Sequence, residues 1–72
     1  DVLDPSEAPG TGSPEPCGIS TTELIAIVHL LARCRVIGGD LVEVAHAWDP
    51  SGRTGITASW VIREAMLAWW GR

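Results

Sequence analysis

Apolar and polar positions alternate along this chain in two distinct periods. Leu24, Ile27, Val28 and Leu31 fall on one face of a helix, and Thr22, Ala26, His29 and Arg33 fall on the other. Ser20 precedes that stretch, with Glu23 three positions on, the spacing of a capping box. The pattern predicts a helix over 21–34. Gly38-Gly39 then ends the helical period. Leu41-Val42-Glu43-Val44-Ala45 is a short β-branched run with one acid inside it, which predicts a strand over 40–45, or from 36 if Val36 and Ile37 join it. Asp49-Pro50-Ser51-Gly52 has the order of a type I turn. A last helix is predicted over 56–70, capped by Thr54 or Thr57 and apolar nearly all round, so that it expects cover on more than one face.

The first residues have a different texture. Residues 1–3 read as the end of a strand. Residues 4–18 carry four prolines and three glycines, which excludes helix and central strand. Their close-set prolines, with no Ser/Gly repeat, predict a stiff, shaped loop. The order is strand, loop, helix, strand, loop, helix, which predicts an α/β fold with a parallel sheet. In such sheets ligands bind beyond the carboxyl ends of the strands, so Asp1, the loop, Glu43 and residues 46–53 are expected along one edge.

Composition narrows the function. The chain has 72 residues, a net charge of -4, no lysine and five arginines scattered from 33 to 72. No basic stripe is present to neutralise phosphates, so nucleic acid is not expected as a partner. No apolar run is long enough to read as a membrane span, and the acidic start is unlike a secretory signal, so a cytoplasmic location is expected. Hydrophobic residues make up 46% of the chain, and Trp60, Trp69 and Trp70 crowd its end. That is rich for a single small domain and suits a piece of a larger core. Cys17 and Cys34 have no partner at a metal-ligand spacing and read as free thiols.

Few residues are candidates for chemistry. Asp1 and Asp4 are carboxylates at a strand end, which can hold a hard cation, though Asp4-Pro5-Ser6 is also an ordinary turn opener. A carboxylate such as Glu43 within an apolar strand is costly unless paired, and a planar guanidinium is its natural partner. That partner is either a substrate or one of Arg33, Arg35 and Arg53; alternatively the side chain faces water at a sheet edge. Strand alternation sets His46 on the opposite face from Glu43. His29 belongs to the polar face of its helix. Gly10-Thr11-Gly12 has no lysine and no helix directly after it, so it is not a phosphate loop.

Two segments together resemble the ureohydrolases, the arginase and agmatinase family. Asp1-Val2-Leu3-Asp4-Pro5 is similar to the end of the family's Ser-x-Asp-x-Asp-x-x-Asp-Pro signature, and Pro9-Gly10-Thr11-Gly12-Ser13-Pro14 to the loop that follows it. Leu41-Val42-Glu43-Val44-Ala45 resembles the agmatinase-like form of a later strand. The resemblance implies a C-terminal β-loop-α-β-α piece, residues 1–72, of a three-layer αβα arginase-like fold with a parallel sheet, with 4–18 as an active-site loop. It implies that Asp1 ligates one of two manganese ions, that Asp4 is structural, and that Glu43 holds a substrate guanidinium with support from Ser13. It implies an agmatinase-like hydrolase acting on a small guanidino compound to give urea and an amine, homo-oligomeric when complete. Cys17 stands where the family has a glycine, and His46 where it commonly has proline. The signature's serine, its first aspartate and the upstream ligands are absent, which implies that part of the enzyme lies outside this chain and that the chain alone is inactive. The alternatives are a non-catalytic α/β interaction module and one half of a split enzyme.

Overall fold

The computed structural model describes residues 1–71. Helix α1 spans Thr21–Leu31 and helix α2 spans Arg53–Trp70, with a single 3-10 turn at His46–Trp48 between them.

The capping box forms as its spacing predicts. The Glu23 N–H donates to Ser20 Oγ at 3.1 Å, and the Ser20 N–H donates to Glu23 Oε1 at 2.9 Å. The helix stops at Leu31 rather than 34. From Ala32 to Cys34 each N–H donates three residues back, to His29, Leu30 and Leu31, so the end tightens into a turn that no longer carries the α ladder.

Helix α2 begins earlier than its apolar pattern suggests, and neither Thr54 nor Thr57 caps it. Gly52 is the N-cap, in the left-handed conformation at φ 76°. Its N–H donates to the Asp49 carbonyl at 3.0 Å, closing the turn foreseen at Asp49-Pro50-Ser51-Gly52. The Thr54 hydroxyl is occupied elsewhere, and the Asp49 carboxylate takes the Thr54 N–H instead.

The two expected strands do not form. Leu3 and Ile19 make one isolated parallel bridge, and residues 39–45 run without helix or ladder. Among the described residues no backbone hydrogen bond involves 37–44. The physical reason is that a strand exists only through a neighbour that accepts and donates along its edge. The pattern at 41–45 predicts a surface suited to a sheet, and no other segment of these 71 residues supplies the rest of that sheet. The described chain is therefore mostly helical, and the parallel sheet expected from the order of elements is not made within it.

The helices pack on each other with little enclosed between them. Val28 is the one buried apolar side chain among the described residues, at 5% exposure. Leu24 is half-buried beside it, whereas Ile27 and Leu31 of the same predicted face remain exposed. Trp69 Nε1 donates to the Val28 carbonyl at 2.8 Å and Trp70 Nε1 to the Val36 carbonyl at 2.8 Å, fastening the end of α2 to α1 and to the segment after it. Trp48, Trp60 and Trp70 are exposed.

Candidate functional site

The loop over 4–18 is held by its acids. Asp4 accepts from the Ser6 N–H at 3.0 Å, the Ser6 hydroxyl at 2.5 Å and the Gly18 N–H at 3.2 Å, so one side chain ties the loop's start to its end. Chiefly the Ser6 hydroxyl, with the Ser6 N–H next, holds the Asp4 carboxyl below its usual range. Asp4 is thus structural, as the sequence implies. Glu7 Oε1 accepts the Thr21 N–H at 2.7 Å and joins the loop to the start of α1. Cys17 lies at φ 65°, a conformation its side chain disfavours and a glycine adopts freely.

A second knot joins the loop to α2. Gly10 donates its N–H to Thr54 Oγ1 at 2.8 Å and accepts the Ala45 N–H on its carbonyl at 2.6 Å. Asp49, buried at 3% exposure, accepts from the Ser51 hydroxyl at 2.5 Å and from the Thr54 N–H at 2.7 Å. The Ser51 hydroxyl above all, then Thr54, holds the Asp49 carboxyl far below the ordinary carboxylate range. A methyl group on Gly10 would stand 2.9 Å from Asp49 Cβ and 2.9 Å from Thr54 Oγ1. The sequence marks Asp49 only as a turn opener, and nothing in the pattern of residues 4–18 points to Thr54 as the partner of Gly10. The spacing Asp-x-x-x-x-Thr at a helix start was the available signal for the capping half of this knot.

These ties bring the two sequence-selected carboxylates to one place. Asp1 and Glu43 both line a cavity of about 100 Å³, walled by Leu3, Leu24, Val44 and Val61 and including Thr11. Glu43 lies at φ 70°, which extended backbone does not explain. A non-glycine residue persists there when its surroundings fix it, and such positions cluster at functional sites. Among the described residues Glu43 makes no ion pair, so Arg33, Arg35 and Arg53 do not neutralise it. Ser13 is exposed on the loop and does not line the cavity. His46 opens the 3-10 turn after the Glu43 segment, and strand alternation no longer describes its direction. His29 is exposed and meets Glu64 of α2 at 3.1 Å. Both cysteines are free and exposed.

The donors for a metal are few. No three His, Cys, Asp or Glu side chains converge among the described residues. Of the site's carboxylates Asp4 and Asp49 are consumed by hydrogen bonds, whereas Asp1 and Glu43 line the cavity without such ties among the described residues. A binuclear centre needs several ligands placed together, more than the donors that meet here among the described residues.

Asp1, Glu43 and the Pro/Gly loop thus meet around one cavity, carried on a backbone with known counterparts. It superimposes on the proclavaminate amidino hydrolase from Streptomyces clavuligerus with a TM-score of 0.90 at 34% identity, over 94% of this chain and 23% of that one. The chain belongs to the Arginase family, whose model matches residues 1–68. It is 54% identical over 71 residues to an agmatinase of Halalkalibacterium halodurans, covering 96% of this chain and 25% of the relative. It is also 54% identical over 69 residues to an agmatinase of Bacillus subtilis, covering 93% of this chain and 24% of the relative. The chain thus spans about a quarter of the length of the curated relatives it matches.

Proposed function

We propose that this chain forms the substrate-facing C-terminal part of an agmatinase-like ureohydrolase, a domain that cleaves a guanidino compound to urea and an amine. The observation that carries the reading is that Asp1 and Glu43, distant in sequence, line one cavity together with Ala8 and Thr11 of a loop of the family's form. In the complete domain the segments 1–3 and 40–45 take their places in a parallel sheet of a three-layer αβα fold, and the rest of that sheet supplies the ladder partners they lack here. Glu43 receives the guanidinium through two parallel N–H···O bonds, which suits a planar cation and fixes its plane. Ser13, presented on the loop, supports the same group with its hydroxyl. Asp1 is this chain's contribution to a two-manganese site whose other ligands come from the remainder of the domain. The complete enzyme is homo-oligomeric.

By itself the chain is expected to release no urea from agmatine in the presence of manganese. The test is complementation. The chain is co-expressed with a Bacillus subtilis agmatinase lacking its matching quarter, and urea release is measured with and without manganese. Metal-dependent turnover is expected, and Glu43→Gln in the chain should lower kcat/KM by about 100-fold or more, since it removes one partner of a charged pair. Urea release by the isolated chain, or release in the complemented enzyme that is indifferent to Glu43, would refute the assignment. Stable association without turnover would favour a non-catalytic interaction module.

A further inference from the structure

A line of hydrogen bonds runs from the start of α2 to the segment that carries Glu43. Asp49 accepts the Thr54 N–H at 2.7 Å, a donor that the first turn of a helix leaves without an intrahelical partner. Thr54 is buried, and a β-branched side chain on a fixed backbone has few rotamers left to it. Its Oγ1 accepts the Gly10 N–H at 2.8 Å, and the Gly10 carbonyl accepts the Ala45 N–H at 2.6 Å. Ala45 stands two residues after Glu43. Among the described residues no backbone hydrogen bond involves 37–44, so the Ala45 bond is the nearest backbone tie to Glu43 on either side. Glu43 nevertheless holds a φ of 70°, which its side chain disfavours and its surroundings must impose. Thr54 and Glu43 line the same cavity.

We propose that Asp49 and Thr54 are positioning residues for Glu43, acting through Gly10 and Ala45. The fixed end of the line is helix α2, and Gly10 of the loop carries its position across to the segment that bears the carboxylate. A carboxylate forms two parallel bonds with a planar guanidinium only from a narrow range of directions. A segment with one nearby tie depends on that tie for its aim. Removing the Thr54 hydroxyl takes the acceptor from the Gly10 N–H and loosens the loop residue on which Ala45 rests. The proposal rests on Glu43 being the guanidinium acceptor and goes beyond it by naming what aims that acceptor.

The test is a double-mutant cycle in the agmatinase complemented by this chain, with agmatine as substrate. Thr54→Val keeps the shape and removes the acceptor, and Thr54→Ser keeps the acceptor. T54V should lower kcat/KM about tenfold in the parent background and less than about twofold beside Glu43→Gln, where nothing is left to aim. A loss of folding or assembly would instead act by the same factor in both backgrounds. T54S should stay within about twofold of the parent. Asp49→Asn keeps the Thr54 hydroxyl but weakens the hold on its backbone, and should follow T54V in the cycle at a loss of about threefold. In the 72-residue chain, without metal or substrate, T54V should also speed amide exchange at Ala45 by about tenfold, and T54S should not. Equal T54V losses in both backgrounds, no T54V loss in the parent, a T54S loss as large as T54V's, or unchanged exchange at Ala45 in T54V would overturn the proposal and leave the role of Glu43 standing. Equal D49N losses in both backgrounds would strike Asp49 from the assignment. A complex without turnover, or turnover indifferent to E43Q, would overturn both readings. If T54V forms no complex, D49N decides in its place by the same comparison.

Discussion

At Gly10 the absence of a side chain is what lets three parts of the chain meet. Its N–H reaches Thr54, its carbonyl takes the Ala45 N–H, and a methyl group would press on both Asp49 and Thr54. Gly10→Ala is therefore expected to cost about 1–3 kcal/mol, as overpacking of a tight site does. A denaturant melt should show a lower midpoint at unchanged slope. The acids around the knot set a pH dependence. Asp4, Glu7, Glu23 and Asp49 are all held below their ordinary values, by donors from Ser6, Thr21, Ser20 and Ser51 foremost. A lowered folded value means that the contribution to stability is complete above the unfolded value, about 4, and is lost as the pH falls from there towards the folded value. Thermal midpoints should accordingly be flat from pH 7 to about 5 and fall steeply below about 4. Asp49→Asn should lower the neutral midpoint and make that fall shallower.

Among the elements, α1 is the one whose limits are set by its own residues. The capping box supplies two of the N–H partners the first turn needs, and Ser20→Ala is expected to cost about 1 kcal/mol, read as a lower thermal midpoint with loss of helical circular dichroism. Its end is less legible, because three successive residues tighten the turn while the predicted helix runs on to Cys34. Helix α2 starts where Gly52 reverses the backbone and Asp49 takes the Thr54 N–H, neither of which follows from its apolar stripe. The segment over 40–45 illustrates the opposite limit. Its β-branched pattern is a statement about a sheet, and without neighbours on either edge it forms no ladder: Glu43 turns to φ 70° and Ala45 alone bonds, to Gly10.

For the molecule as a whole, what matters is how much apolar surface it leaves open. Val28 is buried, yet Ile37 is 90% exposed and Val42, Trp48 and Ile56 are each 65% or more. An isolated domain of this size already buries only about 60% of its unfolded surface, so further exposure of this kind makes it marginal. Exposed apolar area on this scale marks contact with other protein. The relatives it matches are about four times as long as this chain. Isolated chain is expected to enhance the fluorescence of an apolar dye and to show red-shifted tryptophan emission. Association with the complementary part of an agmatinase should reverse both signals, and a dye response unchanged on association would show that these faces remain open.

The amino-acid sequence by itself determined the parts whose partners are close along the chain. The capping box, the turn at 49–52, the stiff proline-rich loop and the family motifs at 1–14 and 41–45 all rest on spacings within a few residues. Cys17, which stands where the family has a glycine, lies at a φ of 65° that glycine adopts freely. Only the tertiary structure decided that Gly10 knits Thr54 to Ala45, that Thr11 lies buried with an unpaired hydroxyl, and that Asp1 and Glu43 share a cavity. It also decided that the strands do not form within these residues. The reason is the range of the forces involved: helix bonds close over four residues, whereas a sheet edge and a buried hydroxyl depend on whichever distant segment the fold brings alongside.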